Sequence, residues 1–362
     1  MSTLHHSSPS CPPALTSATL QLHYLAEGAA NIIYSVSVRS PPGLQHHSHC
    51  CILRLRKDLP FTKPALEVMR DFEERIGPLF GGHEHLLMKQ ALYPLTPEMV
   101  LDANAELREM ETADSSGDRV AAEGQSKGRV RHHHRRHVYL PAYETEQNGI
   151  LMQNLKEPGV DQLVEFKPKW LVQSPSAPVD ARNCRTCALN AMRRKGGKHQ
   201  GRGDSGFCPL DLLSGPDEGD VLQQALANVC QPAEGGIEEF LVSFRQRVQP
   251  ALRHLATLQR QYGSVGLDDY RNPAGKNLDL AMALRDCSVF LALHTTTTSA
   301  SDSNSSRGRV ELVDVKFADL DLKTPEGRKL QKWASMEQEL LDGGWYYNAE
   351  GSHCSLGRRR ET

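Results

Sequence analysis

The feature that most constrains this chain is a change of hydrophobic period along its length. Period-two runs come first: residues 20–24 and 32–38 read as strands flanking EGAAN, and 51–56 (CILRLR) as a third. A helix follows at 64–76, a short apolar strand at 150–154 (ILMQN) and another strand entry at 163–169. From 221 to 262 the pattern is mostly helical, with FLVSFRQRVQPALRHLATLQRQY its best amphipathic part. Residues 278–293 carry RDCS and then the apolar run VFLAL. Residues 310–322 (VELVDVKFADLDL) read as a long strand or β-pair, and 329–341 as a closing helix. A strand-rich start and a helix-rich remainder predict an α+β chain in two lobes with a cleft between them. At ~150 residues per domain the 362 residues agree, with the lobes at 1–155 and 156–362.

Three polar stretches interrupt this alternation, at 40–49 (SPPGLQHHSH), 102–137 and 295–308 (TTTTSASDSNSSRG). Each has too little apolar content to offset its ordering entropy and is expected to be loop or disorder. The hydrophobic fraction of 39%, below the usual ~45–50%, agrees with segments outside the core. No apolar run reaches ~18–20 residues, which excludes a spanning helix of that kind, and the N-terminus has no apolar signal core. Nine scattered cysteines argue against a secreted disulfide framework. With 42 Lys and Arg against 44 Asp and Glu, the formal charge is −2, which argues against a nucleic-acid coat but permits a local basic pocket. A soluble intracellular protein is expected.

Several short strings carry chemistry. Small residues at Gly28, Ala29, Ala30 and Asn31 let backbone N–H groups approach an anion, although a plain hairpin turn has the same composition. Arg54 and Arg56 share one face of CILRLR and Leu53 and Leu55 the other, so the cations either meet phosphate or guard a solvated edge. Glu165, Lys167 and Lys169 share parity in VEFKPKW, where Pro168 favours an extended neighbour. Aligned lysines beside aromatics need a compensating anion, unless they protect an edge strand.

In DLDLK, Asp319, Asp321 and Lys323 share one face and Leu320 and Leu322 the other. Two such carboxylates suit Mg²⁺ with phosphate oxygens, and an amphipathic surface strand looks the same. Asp286 in RDCS is either a turn residue or the carboxylate that deprotonates an attacking hydroxyl. Arg185 and Arg193 lie about two helical turns apart and either clamp phosphates or form a solvated face. The CxxC of RNCRTC, without a second ligand pair, is weak support for zinc, and the His132–His137 cluster reads as part of a mobile basic loop.

In series, EGAANIIYSV, ILRLRK, GILMQN, EFKPKW, CRTC, CPLDLLSG, LRDCSVFL and DLDLK resemble the inositol-pentakisphosphate 2-kinase family, in a fungal-like form. The resemblance covers residues 27–323 and implies a two-lobed inositol-phosphate kinase fold distantly resembling protein kinases. It implies ATP-dependent phosphorylation of the axial 2-hydroxyl of inositol 1,3,4,5,6-pentakisphosphate, giving inositol hexakisphosphate, with ATP and Mg²⁺ as cofactors. By position, Gly28, Ala29, Ala30 and Asn31 cover the nucleotide phosphates, Arg54 is a phosphate cation, and Gln153 and Asn154 form the hinge at the adenine. Asp286 matches the catalytic acid/base and Lys167 the lysine at the transferred phosphate. Lys169, Arg185, Arg193 and Lys323 match substrate ligands, with Arg136 aligned through a variable loop. Asp319 matches a metal ligand, and parity adds Asp321.

The same resemblance implies a monomer with no stable nucleic-acid partner and no membrane contact, located in the nucleus, with the cytoplasm as a second place. There are departures. The His-Cys-Cys-His zinc cluster of some members is missing, so no structural metal is expected. PAEGGIEEF stands where plant members carry an Asn-Asn pair, and the tail lacks their Arg and Tyr spacing. The rival readings are a kinase for another inositol phosphate and a non-catalytic polyphosphate or RNA binder using RHHHRR and RRKGGKHQGR. The PxxxDxKxG string of the other large inositol-phosphate kinase family is absent.

Overall fold

In NIIYSVSV every second side chain packs inward: Ile32, Tyr34 and Val36 are buried, as the alternation requires. The structure is a computed structural model. It describes residues 20–38, 47–115, 131–197, 206–230, 237–298, 307–324, 328–347 and 354–357. Of the stretches expected to be loop, 40–46, 116–130 and 299–306 lie outside the described residues, as do 198–202 of RRKGGKHQGR and 232–236 of PAEGGIEEF. Residues 47–49, 295–298 and 307–308 are corrected to strand, because they continue the ladders of the two sheets. The fold is α+β with two antiparallel sheets. The chain divides into two units, Met1–Glu74 with Met88–Pro158, and Arg75–Leu87 with Gly159–Thr362. Among the described residues no helix is long and apolar enough to cross a membrane.

The first unit contains β1 (Leu20–Glu27), β2 (Asn31–Val38), β3 (His47–Arg56), α1 (Ala65–Asp71), β4 (Gln90–Pro94), α2 (Pro97–Ser115) and β5 (Asn148–Gln153). Its sheet runs β1-β2-β3-β5-β4, antiparallel throughout. Leu53 and Leu55 of β3 are buried and Arg54 and Arg56 are half-buried, as the two-faced reading of CILRLR expects. Gly149 answers a steric demand: a Cβ there would sit 2.6 Å from Leu55 Cδ2 and 3.1 Å from Leu53 Cδ1. The stretch from 102, expected to be loop, is corrected in part. α2 continues through Ser115, because Met99, Val100, Ala103 and Leu107 bury a narrow apolar stripe in the sheet core. Its Glu106 accepts from the Tyr24 amide at 3.0 Å.

The second unit holds β6 (Gln162–Phe166), α3 (Arg185–Lys195), α4 (Val221–Ala227), α5 (Ile237–Ser243), α6 (Gln249–Tyr262), α7 (Leu267–Arg271), α8 (Leu278–Asp286), β7 (Ser288–Thr298), β8 (Arg307–Ala318) and α9 (Arg328–Asp342). Its sheet is β6-β7-β8, again antiparallel. Phe166 pairs with Val289 and Ser288 with Ala318. The exit of β6, the entrance of β7 and the exit of β8 therefore share one end of the sheet. That register brings EFKPKW, RDCS and DLDLK together, though more than a hundred residues separate the first from the others.

Candidate active site

Five charged side chains meet at that sheet end. Lys167 Nζ donates to the Asp286 backbone carbonyl at 2.6 Å and lies 3.5 Å from Asp286 Oδ1 and 2.9 Å from Asp319 Oδ2. Lys169 Nζ donates to Asp286 Oδ1 at 3.0 Å, and Lys323 Nζ to Asp319 Oδ1 at 3.1 Å. Lys167 thus links the two carboxylates, with a lysine outside each. The carboxylates stay reachable from solvent, Asp286 being 45% and Asp319 42% exposed. Burial pushes the Asp319 carboxyl up, but the Lys323 and Lys167 ammoniums outweigh it and hold it below the ordinary carboxylate range. Burial works against the Lys167 charge, yet Asp319 and Asp286 raise it above the usual lysine value. Asp319 and Lys167 are therefore both held in their charged forms at neutral pH.

The backbone is bent to make this meeting. Lys169 and Asp319 both sit in the left-handed region, with φ of 55° and 54°, where residues other than glycine are uncommon. The parity of DLDLK survives in burial, since Leu320 and Leu322 are buried and Asp319, Asp321 and Lys323 are half-buried. The extended run itself ends at Ala318. Trp170, also buried, is held between two guanidiniums, Arg285 at 3.6 Å and Arg185 at 4.9 Å from its ring centroid. Arg285 is committed to the fold, donating to the Tyr270 hydroxyl at 2.9 Å and to the Gly263 and Val265 carbonyls.

Other expected residues lie apart from this cluster. Arg185 is buried, with its Nε 3.0 Å from Glu337 Oε2. Glu337, itself buried, also accepts from Ser174 Oγ at 2.7 Å and the Tyr346 hydroxyl at 2.6 Å. An Arg185 so engaged joins α3 to α9 before it can meet any phosphate. Arg193, on the same helix, is half-buried and carries no ion pair among the described residues. Arg136 is half-buried and belongs to the first unit.

In the first unit, the turn from Gly28 to Asn31 is braced by residues the sequence did not single out. The Gly28 amide donates to the Asn31 carbonyl and the Lys57 amide to Ala30, each at 2.8 Å. Lys57 Nζ donates to the Gly28 carbonyl at 2.9 Å and lies 2.6 Å from Glu27 Oε2. Arg131 closes on the same carboxylate at 2.9 Å and on Glu111 at 2.5 Å. Arg135 donates to the Glu27 carbonyl. Glu27, Lys57 and Arg131 are 2%, 1% and 0% exposed, so this is a buried charge network beneath an exposed turn. Gln153 is buried, and its Oε1 has no hydrogen-bond partner among the described residues. Asn154 turns its Oδ1 to the Lys156 amide at 3.0 Å.

The reading of CxxC as lacking a second ligand pair is corrected by the fold. Cys184 at the N-cap of α3 and Cys187 in its first turn meet Cys208 and Cys354, all four sulfurs lying within 4.8 Å of one another. Cys184 and Cys208 are 3.9 Å apart and Cys208 and Cys354 3.7 Å. Tetrahedral zinc thiolate, with bonds of ~2.3 Å, places sulfurs ~3.8 Å apart. The Cys184 amide also donates to Cys354 Sγ at 3.1 Å. The missing pair was illegible because Cys354 lies 170 residues from Cys184.

The model of the family described as inositol-pentakisphosphate 2-kinase matches residues 24–258 and 239–339. A Yarrowia lipolytica protein described as inositol-pentakisphosphate 2-kinase is 34% identical over 197 residues, 53% of this chain. The match spans 56% of that relative's length, a little over half. With EFKPKW, RDCS and DLDLK gathered at one sheet end and the family match running through both units, the chain belongs to the inositol-pentakisphosphate 2-kinase family.

Proposed function

We propose that this chain is an ATP-dependent kinase that phosphorylates the axial 2-hydroxyl of inositol 1,3,4,5,6-pentakisphosphate, giving inositol hexakisphosphate. The observation that carries the reading is Lys167 standing between Asp286 and Asp319, with Lys169 and Lys323 alongside. Three ammoniums suit a substrate crowded with phosphates, and an accessible carboxylate among them suits proton removal. The 2-hydroxyl oxygen attacks the γ-phosphorus in line. The new O–P bond forms as the bond to the β–γ bridging oxygen breaks, and ADP leaves. Asp286 takes the hydroxyl proton, and Lys167 neutralises charge on the migrating phosphoryl group. One such electrostatic contact is worth ~10²–10³-fold in rate.

The nucleotide contacts go to Gly28, Ala29, Ala30 and Asn31, to Arg54, and to Gln153 and Asn154 in a protein-kinase-like arrangement. The unpartnered Gln153 Oε1 supports this, as an acceptor an adenine amino group can satisfy. Asp319, with Asp321, is the choice for Mg²⁺. An accessible carboxylate oxygen is the hard donor this ion takes beside phosphate oxygens and water. Bound there, the ion supplies charge neutralisation to the nucleotide. Lys169, Lys323 and Arg193 are assigned to the inositide, and Arg185 is assigned to supporting Trp170. The four cysteines are assigned to a structural Zn²⁺. Nuclear residence is proposed on the basic run RRKGGKHQGR, and microscopy of a tagged chain tests it.

The test is incubation with ATP, Mg²⁺ and a panel of inositol phosphates, with the products separated. Transfer to the pentakisphosphate is expected. Asp286→Ala should abolish transfer while calorimetry still detects inositide binding. Unchanged turnover in that variant would remove the mechanism, and transfer confined to another inositol phosphate would move the substrate assignment.

A further inference from the structure

In α6, Leu252, Leu255 and Ala256 face the core, and the next position of the same stripe is Gln259. A glutamine at a core position must find partners for its whole amide, and this one does. Fully buried, it donates through Nε2 to the Lys169 carbonyl at 2.8 Å and the Leu284 carbonyl at 2.9 Å. Its Oε1 accepts from the Leu171 amide at 2.9 Å. The two peptide planes flanking Trp170 are therefore both held by one side chain. The third bond reaches α8 two residues before Asp286.

These bonds fall where the backbone most needs them. Lys169 is left-handed at φ 55°, a state in which a side chain crowds the following carbonyl and which persists only if the surroundings fix it. Its ammonium nonetheless reaches Asp286 Oδ1 at 3.0 Å. Resting on the proposed kinase reading, we infer that Gln259 is a positioning residue for Lys169, holding its carbonyl so that the ammonium stays beside Asp286 at the substrate phosphates.

The test is a double-mutant cycle of Gln259→Leu and Lys169→Met, with inositide and ATP kinetics measured separately on protein whose folding is checked by circular dichroism. Gln259→Leu should raise the inositide KM about ten- to hundred-fold, the scale of a misplaced contact, and leave the ATP KM within about twofold. Added to Lys169→Met it should do nothing more, because the group it positions is already gone. Should Gln259→Leu fail to fold, Gln259→Glu replaces it in the cycle, keeping the acceptor for Leu171 and losing the paired donors. Effects that multiply across the cycle, or equal losses in both KM values, would overturn the inference. A wild type that transfers no phosphate would instead refute the kinase reading, and the two failures are distinct.

Discussion

Glu27→Gln tests the buried network beneath the turn at Gly28. The wild-type carboxylate sits 2.6 Å from Lys57 and 2.9 Å from Arg131, with Glu111 on the far side of Arg131. The four charges cancel. Neutralising Glu27 leaves one positive charge uncompensated among side chains no more than 8% exposed. Breaking one partner of such a buried pair costs ~3–5 kcal/mol, and the glutamine still accepts one hydrogen bond, so the lower end applies. At ~2–4 °C per kcal/mol, the first unit should melt roughly 6–12 °C lower.

The pH dependence sharpens this test. Burial raises the Glu27 carboxyl, but Arg131 and Lys57 more than reverse that and hold it below its ordinary value. A depressed carboxylate stabilises the fold above its unfolded range and loses that contribution as pH falls through the folded value. Wild-type melting should therefore drop steeply below about pH 5, and the variant's should drop less. Because Lys57 also holds the Gly28 and Ala30 carbonyls, the ATP KM should rise with little change for the inositide. Scanning calorimetry from neutral to acid pH decides it. A melting point within about 2 °C of wild type, or an unchanged acid slope, would refute the reasoning.

Gly149→Ala would press a methyl against Leu53 and Leu55, and urea unfolding should show a loss of ~1–3 kcal/mol. Asp319→Asn removes the partner of Lys167 and Lys323, and kcat/KM should fall ~10²–10³-fold while the fold, read by circular dichroism, is kept. Elemental analysis of purified protein should find one equivalent of zinc. Cys354→Ser or a strong chelator should remove it and lower the melting point, because the metal binds only the folded chain.

The two-faced character of EFKPKW and DLDLK was legible because each string is local and its parity survives in the fold, as the buried Phe166, Trp170, Leu320 and Leu322 show. What the sequence withheld were partners set by distant pairing. The partner of Arg185 is Glu337, 152 residues away, and no local pattern announces that pairing. Arg131 looked like part of a solvated basic run, and is fully buried because Glu27 and Glu111 converge on it. The cysteine pair could not be completed without the chain's end. α2 was hidden by its charges, of which Glu106 finds a partner in β1 and Glu111 in Arg131.

The β7–β8 hairpin separates what is fixed from what can vary. Ser288 faces Ala318 at one extremity and Thr298 faces Arg307 at the other, ten steps or about 34 Å along the ribbon. Lengthening or grafting a reporter peptide beyond Thr298 leaves the opposite extremity untouched. Deleting a single residue of β8 between the bulge at Val313 and Ala318 would slip the pairing by one and swing Asp319 onto the wrong side of the ribbon.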